Sequence, residues 1–268
     1  MAELRVLIAG ASGRMGAANI KAVAAQPGLV LRAAVDRPGT PALGRDAGQF
    51  AGIDDLGVII GDNIAAALGD VDVIIDFTAP SATVANAKLA AEHGLVHIIG
   101  TTGCSEDDDA AIAQAGRDGA RIVKSGNFSM GVVVLASLVK QAAAILADYD
   151  IEILEMHHNK KVDAPSGTAL LLGEAAAAGR DIALKDHSVR VRDGHTGPRE
   201  AGTIGFASLR GGTVVGDHSV ILAGASERIE LNHRAEDRAI FANGAARAAL
   251  WAAQQAPGLY TMNDVLGL

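Results

Sequence analysis

The sequence is poorest in cysteine. A single Cys among 268 residues cannot close a disulfide within the chain, so a disulfide-stapled scaffold is excluded. Excess basic charge is also missing: 23 Lys and Arg stand against 31 Asp and Glu, a net charge of −8. A general electrostatic grip on nucleic acid or an anionic membrane is therefore not expected, and any anionic ligand must be caught by a local site. No apolar run is long enough to cross a bilayer. The longest, residues 128–139, stops at Lys140, well short of the roughly 20 residues a spanning helix needs. The N-terminus, MAELRVLIAG, lacks the basic segment and apolar core of a secretory signal, which makes the cytoplasm the expected location. Repeats, low-complexity tracts and nucleic-acid-binding motifs are likewise not evident. What is there suits a folded globular protein: 49% apolar and 20% charged residues. At roughly 150 residues per domain the length predicts about two domains.

The first half alternates short apolar runs with alanine-rich stretches, the pattern of a parallel sheet with crossover helices. Strands are predicted at residues 4–9, 29–35, 71–77, 95–99 and 121–123, and helices at 15–25, 81–92 and 106–118, the last behind a Ser105/Asp108 capping box. These strands are apolar throughout, as expected when both faces are covered. After a long helix at 129–147 the grammar changes. A strand at 149–157 and a helix at 166–178 precede strands at 188–192, 203–209, 219–222 and 228–231 with no helix between them. Such a run implies an antiparallel or mixed sheet, hence a second domain. The Gly-rich, charged segment 193–202 reads as a mobile loop, and 239–255 as a final helix ended by Pro257-Gly258.

The first predicted strand runs into Gly10-Ala11-Ser12-Gly13-Arg14-Met15-Gly16, and a helix begins inside that loop. Glycines permit a tight turn and close approach to a pyrophosphate, which the N–H groups of the helix start attract. About 20 residues on, the second strand ends at Asp36, placed to accept from a ribose diol. Its carboxylate disfavours a 2′-phosphate while Arg37 beside it favours one, so NADH and NADPH both remain open. Two further loops, Gly100-Thr101-Thr102-Gly103 and Ser125-Gly126-Asn127-Phe128, end strands of the same sheet and are expected to face the nicotinamide.

A second constellation follows residue 149: Glu155, His157, His158, Lys161, Asp163, Pro165, Ser166, Gly167 and Thr168. Ser166 reads as an N-cap, and Gly167 and Thr168 lie at a helix start, where open N–H groups and nearby Lys161 would clamp a carboxylate or phosphate. His157 and Lys161 are candidate proton donors. Asp163 reads as an orienter of Lys161. A metal site is not expected, because no third and fourth ligand stands at suitable spacing. Cys104 would need an activating base to act as a nucleophile, and none is evident nearby.

On these residues the chain resembles the 4-hydroxy-tetrahydrodipicolinate reductase (dihydrodipicolinate reductase) family. The shared strings are GASGRMG at 10–16, DFTAPSAT at 76–83, GTTG at 100–103, NFSMGV at 127–132, EMHHNKKVDAPSGTAL at 155–170 and HRAEDRAIFANGAARAALW at 233–251. The resemblance implies an α/β fold with an N-terminal Rossmann-type parallel sheet, residues 1–127 with 239–268. It also implies a C-terminal α+β substrate domain with a mixed or antiparallel sheet, residues 128–238. It further implies NADH- or NADPH-dependent reduction of a small dicarboxylate, a cyclic imine, in diaminopimelate and lysine biosynthesis, by a homotetramer, and with such a substrate Arg210 or Arg238 is expected to hold the second carboxylate. By the same resemblance Gly10, Ala11, Ser12, Gly13, Arg14 and Met15 hold the pyrophosphate and Asp36 and Arg37 the adenosine ribose. Gly100, Thr101, Thr102, Ser125, Gly126, Asn127 and Phe128 hold the nicotinamide end. His157 and Lys161 match the proton donors, and His158, Gly167 and Thr168, with Ser166 and Thr102, the substrate binders. Asp36 stands where many relatives carry Glu and Ala79 where some carry Arg, so cofactor preference is not carried over. A nucleotide sensor without turnover would lack the proton donor and clamp. A semialdehyde or sugar dehydrogenase would be told apart by its indifference to the cyclic imine dicarboxylate that the resemblance implies as substrate.

Overall fold

The computed structural model describes residues 3–268. The chain divides into two compact units, one running to Met130 and resumed at Ala239–Gly267, the other Gly131–Arg238. The first begins with β1 (Leu4–Ala9), α1 (Arg14–Ala25), β2 (Leu29–Val35), α2 (Ala47–Ala51), β3 (Ile60–Gly61), a 3₁₀ turn at Ala65–Asp70, β4 (Val73–Asp76), α3 (Pro80–His93), β5 (Val96–Ile99), α4 (Glu106–Arg117) and β6 (Arg121–Lys124). The second comprises α5 (Met130–Ile145), β7 (Asp150–His157), α6 (Gly167–Gly179), α7 (Leu184–His187), β8 (Ser188–Val189), β9 (Ile204–Arg210), β10 (Gly216–Ala223) and β11 (Arg228–Ala235). The chain then completes the first unit with α8 (Ala239–Ala252), β12 (Gly258–Tyr260) and α9 (Met262–Leu266).

In the first unit seven strands pair in the order β12-β6-β5-β4-β1-β2-β3, every pair parallel. Leu7, Ile74, Ile99 and Ile122 are buried between the sheet and its helices, which is why these strands carry no polar alternation. The strand order reverses between β1 and β4, the place where a crevice opens beyond the strand ends in such sheets. α8 packs against α1, and a Cβ on its Gly244 would lie 1.8 Å from the Phe128 carbonyl oxygen, so the helix seats with no side chain there. The unit differs from the sequence reading in several places, including the short helices α2 and α9, which were not expected. β4 ends at Asp76 because that side chain takes the Thr78 N–H at 2.9 Å and turns the chain. β3 and the 3₁₀ turn are too short for periodicity to signal them. α8 ends at Ala252, short of the expected 255 and before Pro257 is reached, and Gly258 then opens β12, which pairs with β6 from Gly258↔Arg121 to Tyr260↔Val123.

The second unit holds a mixed sheet in the order β11-β10-β7-β9-β8. β10 is antiparallel to β7 and β11, while β9 is parallel to β7 and β8. One face carries Ile151, Ile153, Val220 and Leu222 against Leu135 and Val139 of α5 and Leu172 of α6. Leu154, Met156 and Ile221 point to the opposite face, together with Leu209, which is 47% exposed. β10 and β11 outrun their apolar stretches because Asp217, His218, Asn232 and His233 continue the ladder. β8 stops at Val189, short of the expected 192. Segment 193–202 has no helix or strand, yet Arg199 fastens it: the guanidinium donates to Glu152 at 3.0 Å, Asp150 at 2.9 Å and the Ile151 carbonyl at 3.0 Å. The expected mobile loop is thus pinned near its end.

Candidate functional site

The glycine turn of the first unit has the shape a bound dinucleotide requires. Gly10 leaves β1 at φ +72°, a left-handed conformation that disfavours other residues, and a Cβ there would lie 2.9 Å from Thr78 Cγ2. At Gly16 a Cβ would fall 2.2 Å from the Gly10 carbonyl oxygen. Gly13 is the N-cap of α1 and supplies no side-chain bond, so the first-turn N–H groups of this 12-residue helix lack a side-chain cap. They form a positive pole at a turn open to phosphate. Gly13 and Arg14 are exposed, Ser12 and Met15 half-buried, and Ala11 is buried with its N–H on the Val35 carbonyl at 3.0 Å. Asp36 accepts the Ser12 N–H and the Arg37 N–H, both at 2.7 Å. Its carboxylate thereby fixes the glycine turn to the end of β2, and each oxygen keeps a second acceptor direction. A cleft of about 500 Å³ opens here, lined by Gly10, Ser12, Asp36, Arg37, Asp62 and Thr78 among others, a size that suits small-molecule sites. Asp62 follows a strand of two residues and gave no signal in the sequence.

Beneath this cleft lies a polar cluster the motif reading did not assign. Asp76 is fully buried and accepts from Asn86 Nδ2 at 2.8 Å, the Thr78 N–H at 2.9 Å and the Thr78 hydroxyl at 2.6 Å, with His97 Nε2 at 3.3 Å. Burial pushes its pKa up, but bonds from His97, Thr78 and Asn86 outweigh it and hold the value at about 2. Thr101 is buried, and its hydroxyl oxygen accepts the Thr78 N–H at 3.0 Å and the Thr83 hydroxyl at 2.7 Å. The loops after β4 and β5 are thus stitched together, leaving Thr102 exposed at the rim. At Gly100 a Cβ would lie 2.1 Å from Phe77 Cε1, so that ring can lie against the backbone only of glycine. In the sequence Asp76 showed as a charge ending an apolar run and as the first residue of the shared DFTAPSAT string, with no role attached to it.

The loop after β6 departs from expectation. Phe128 is 1% exposed and packs on Phe77 with ring centroids 5.6 Å apart, so its ring belongs to the core and offers no face to a nicotinamide. Asn127 is buried too, and its side-chain oxygen accepts the Ser129 N–H at 2.8 Å. Ser125 and Gly126 remain at the surface.

In the second unit β7 delivers His157 at its last residue, where the Gly211 N–H bonds the His157 carbonyl at 3.0 Å and closes the ladder to β9. The ring is nearly buried, with Nδ1 2.6 Å from Glu155 Oε2. His158, one residue on, is set elsewhere: its Nδ1 accepts the Lys160 N–H at 3.2 Å and its Nε2 lies 3.0 Å from Arg238. Lys161 pairs with Asp163 at 2.8 Å. The Ser166 hydroxyl oxygen accepts the Ala169 N–H at 3.1 Å, as an N-cap does, and sits 3.1 Å from His218 Nε2, so this buried side chain is committed to scaffolding. Gly167 is exposed and Thr168 half-buried at the opening of α6. Arg210 grips Glu155 through two bonds of 2.9 and 2.8 Å and is spoken for, which removes it as the holder of a second substrate carboxylate. Burial pushes the His218 pKa down to about 4, with His157 beside it adding to the shift.

Comparison with known proteins decides what these parts belong to. Residues 4–128 match the family model described as dihydrodipicolinate reductase, N-terminus, and residues 131–266 the model of its C-terminus. The 4-hydroxy-tetrahydrodipicolinate reductase of Chelativorans sp. (strain BNC1) is 62% identical over the whole of this chain and 97% of its own length. That of Rhodopseudomonas palustris (strain BisB18) is 58% identical over the whole of this chain and 99% of its own length.

The chain belongs to the dihydrodipicolinate reductase family.

The fold agrees. The dipicolinate-bound dihydrodipicolinate reductase from Paenisporosarcina sp. TG-14 superposes with a TM-score of 0.79 at 23% identity, over 97% of each chain. GenD2, from gentamicin A biosynthesis and solved in complex with NAD, gives 0.60 at 17% identity, over 96% of this chain and 90% of its own. Within this reductase fold Cys104 stands apart from the chemistry. Burial, with Asp108 and Asp109 nearby, pushes its thiol above the ordinary value, opposite to what a nucleophile needs. Among the described residues no group of three His, Cys, Asp or Glu side chains is placed to hold a metal ion, and no helix is long and apolar enough to cross a membrane.

Proposed function

We propose that this chain reduces 4-hydroxy-tetrahydrodipicolinate to tetrahydrodipicolinate, with loss of water, at the expense of NADH or NADPH, in diaminopimelate and lysine biosynthesis. The observation that carries the reading is identity of 58 and 62% along the whole chain, through both units, with relatives bearing that name. The first unit is assigned to the dinucleotide, and the second to the substrate and to oligomerisation.

The bound nicotinamide supplies hydride. Everything else falls to the chain's own groups. Gly10, Ala11, Ser12, Gly13, Arg14 and Met15 shape the turn that seats the pyrophosphate on the α1 N–H groups, a cradle that a Cβ at Gly16 would close. Asp36 accepts from the adenosine ribose, and Arg37 is placed to meet a 2′-phosphate. Gly100, Thr101, Thr102, Ser125 and Gly126 border the nicotinamide end, with Asn127 and Phe128 bracing that loop from below. His158, Gly167, Thr168 and Thr102 bind the substrate, Ser166 contributes by capping α6, and Lys161 adds the positive charge that holds a carboxylate. Loss of the ring hydroxyl as water leaves a conjugated imine. Hydride adds to a ring carbon, the resulting enamine takes one proton from His157 or Lys161, and solvent replaces that proton. Orientation of both reactants lowers the barrier by removing search entropy.

We also assign a homotetramer assembled through the uncovered sheet face that carries Leu154, Met156, Leu209 and Ile221. An apolar patch open in one chain favours burial against a copy. Sedimentation is expected to give four times the 27.2 kDa chain mass. The cytoplasm is the location this reading implies, being where NADH and NADPH are renewed.

The deciding experiment is an absorbance assay with freshly prepared substrate and each reduced cofactor in turn. Substrate-dependent loss of NADH or NADPH absorbance is expected, and its absence with both cofactors overturns the reading.

A further inference from the structure

Glu155 has no role in the function just described, yet it is the most deeply buried charge of the second unit. It lies on β7 two residues before His157, and strand alternation puts both on the helix-covered face of the sheet. With 1% exposure its carboxylate would be costly unless paired and fully hydrogen-bonded. Its partners come from three places. Arg210 of β9 donates to both oxygens, the Ser166 N–H at the start of α6 donates to Oε1 at 3.2 Å, and His157 Nδ1 lies 2.6 Å from Oε2. The Arg210 guanidinium also donates to the Asp163 carbonyl at 2.7 Å, tying this pair to the loop that bears Lys161.

We propose that Glu155 is a positioning residue for proton delivery: anchored by Arg210, its carboxylate accepts Nδ1–H of His157 and so makes Nε2 the nitrogen that gives up the proton and regains it.

An ionised carboxylate only accepts, so the nitrogen facing it must carry hydrogen, and this fixes tautomer and ring plane together. Burial raises the pKa of Glu155, but bonds from Arg210, His157 and Ser208 hold it at about 2, so it is ionised at any working pH. Nε2 is kept clear by Gly216, where a Cβ would stand 3.0 Å away. His218 of β10 meets the His157 ring edge-on with centroids 5.1 Å apart, and being neutral above about pH 4 it does not compete for the charge of Glu155. The other charged groups of this region are Arg210 from β9 and Lys161 with Asp163 from the loop before α6, while His233 of β11 acts on His218 and Asp217 of β10 on His233. Arg210 is committed to Glu155 and Asp163 to Lys161, so Glu155 is the anion in bonding contact with the imidazole.

The proposal rests on His157 as proton donor, and the test separates the two. In the full-length enzyme with ¹⁵N-labelled histidine, the wild-type His157 signals are expected to show hydrogen on Nδ1. In E155Q that signature is lost, kcat falls at least tenfold, and KM for NADH stays within twofold. E155D, which keeps the charge at shorter reach, recovers part of both the signature and the rate. It also carries the test alone if E155Q does not fold, since a wild-type spectrum and rate in E155D would then overturn the proposal. An unchanged His157 spectrum in E155Q overturns it whatever the rate. Normal kcat in H157N overturns it by removing the donor, and is recognised because the E155Q spectrum still changes.

Discussion

Asp76 and Glu155 are buried carboxylates that stay ionised by the same means, several donors converging on each from separate elements. Losing the charge leaves donors facing a group that no longer answers them, which costs more than the bond itself is worth. Asp76→Asn is therefore expected to lower unfolding free energy by about 2–4 kcal/mol in urea titrations and to loosen the Thr78–Thr101 stitch, weakening NADH binding in the same samples. Lys161→Ala should leave the circular dichroism spectrum intact while kcat falls by two orders of magnitude or more; near-normal turnover would remove Lys161 from the chemistry. Arg37→Ala should weaken NADPH more than NADH in fluorescence titrations, and an equal effect on both would contradict a contact with the 2′-phosphate. At this scale the sequence showed the glycine turn at Gly10–Gly16 and the Ser166 cap of α6, because glycine turns and N-caps have short-range signatures. It did not show Phe128 as a core residue: a loop aromatic looks the same whether it faces a cofactor or Phe77.

The start of α1 and the start of α4 are built differently, and the difference is testable. α1 leaves its N–H groups uncapped at Gly13, whereas α4 closes them with the Ser105/Asp108 capping box. The proposed pyrophosphate would answer the first, while the second is answered by its own side chains. Gly16→Ala is expected to force the turn apart, since its Cβ would lie 2.2 Å from the Gly10 carbonyl oxygen, and to raise the Kd for NADH tenfold or more. Ser105→Ala should cost about 1 kcal/mol of stability in the same urea assay with kcat unchanged. The helices were legible because their caps and periodicity lie within a few residues of each other. β3 and β12 were not, because strands of two or three residues exist only through the neighbours they pair with, Val35 for Gly61 and Arg121 for Gly258.

Across the whole molecule acid acts in two windows. His218 has a folded pKa of about 4, below the ordinary value of about 6.5. As pH falls from about 6.5 to 4 the unfolded chain binds a proton that the folded chain refuses, so stability declines by up to about 3 kcal/mol. Asp76 and Glu155, depressed to about 2, contribute stability that is full above about pH 4 and lost as pH falls from there to 2. Urea midpoints between pH 8 and 3 are expected to show the upper decline first, and His218→Gln should flatten it while leaving the lower one. No decline between pH 6.5 and 4.5 would contradict a neutral, buried His218.

By itself the sequence determined the parallel sheet, the glycine turn, the caps and the second, strand-rich unit, since each is written in spacings of one to four residues or in the demand for a backbone without Cβ. Tertiary structure alone decided which polar groups meet: Glu155 with Arg210, Asp76 with His97, Ser166 with His218. The parallel register that sets His157 opposite Arg210 brings the guanidinium to Glu155, and the β4–β5 pairing carries His97 to Asp76. A register is chosen by how all the apolar side chains of a sheet pack at once, so no local pattern in the chain announces its polar consequences.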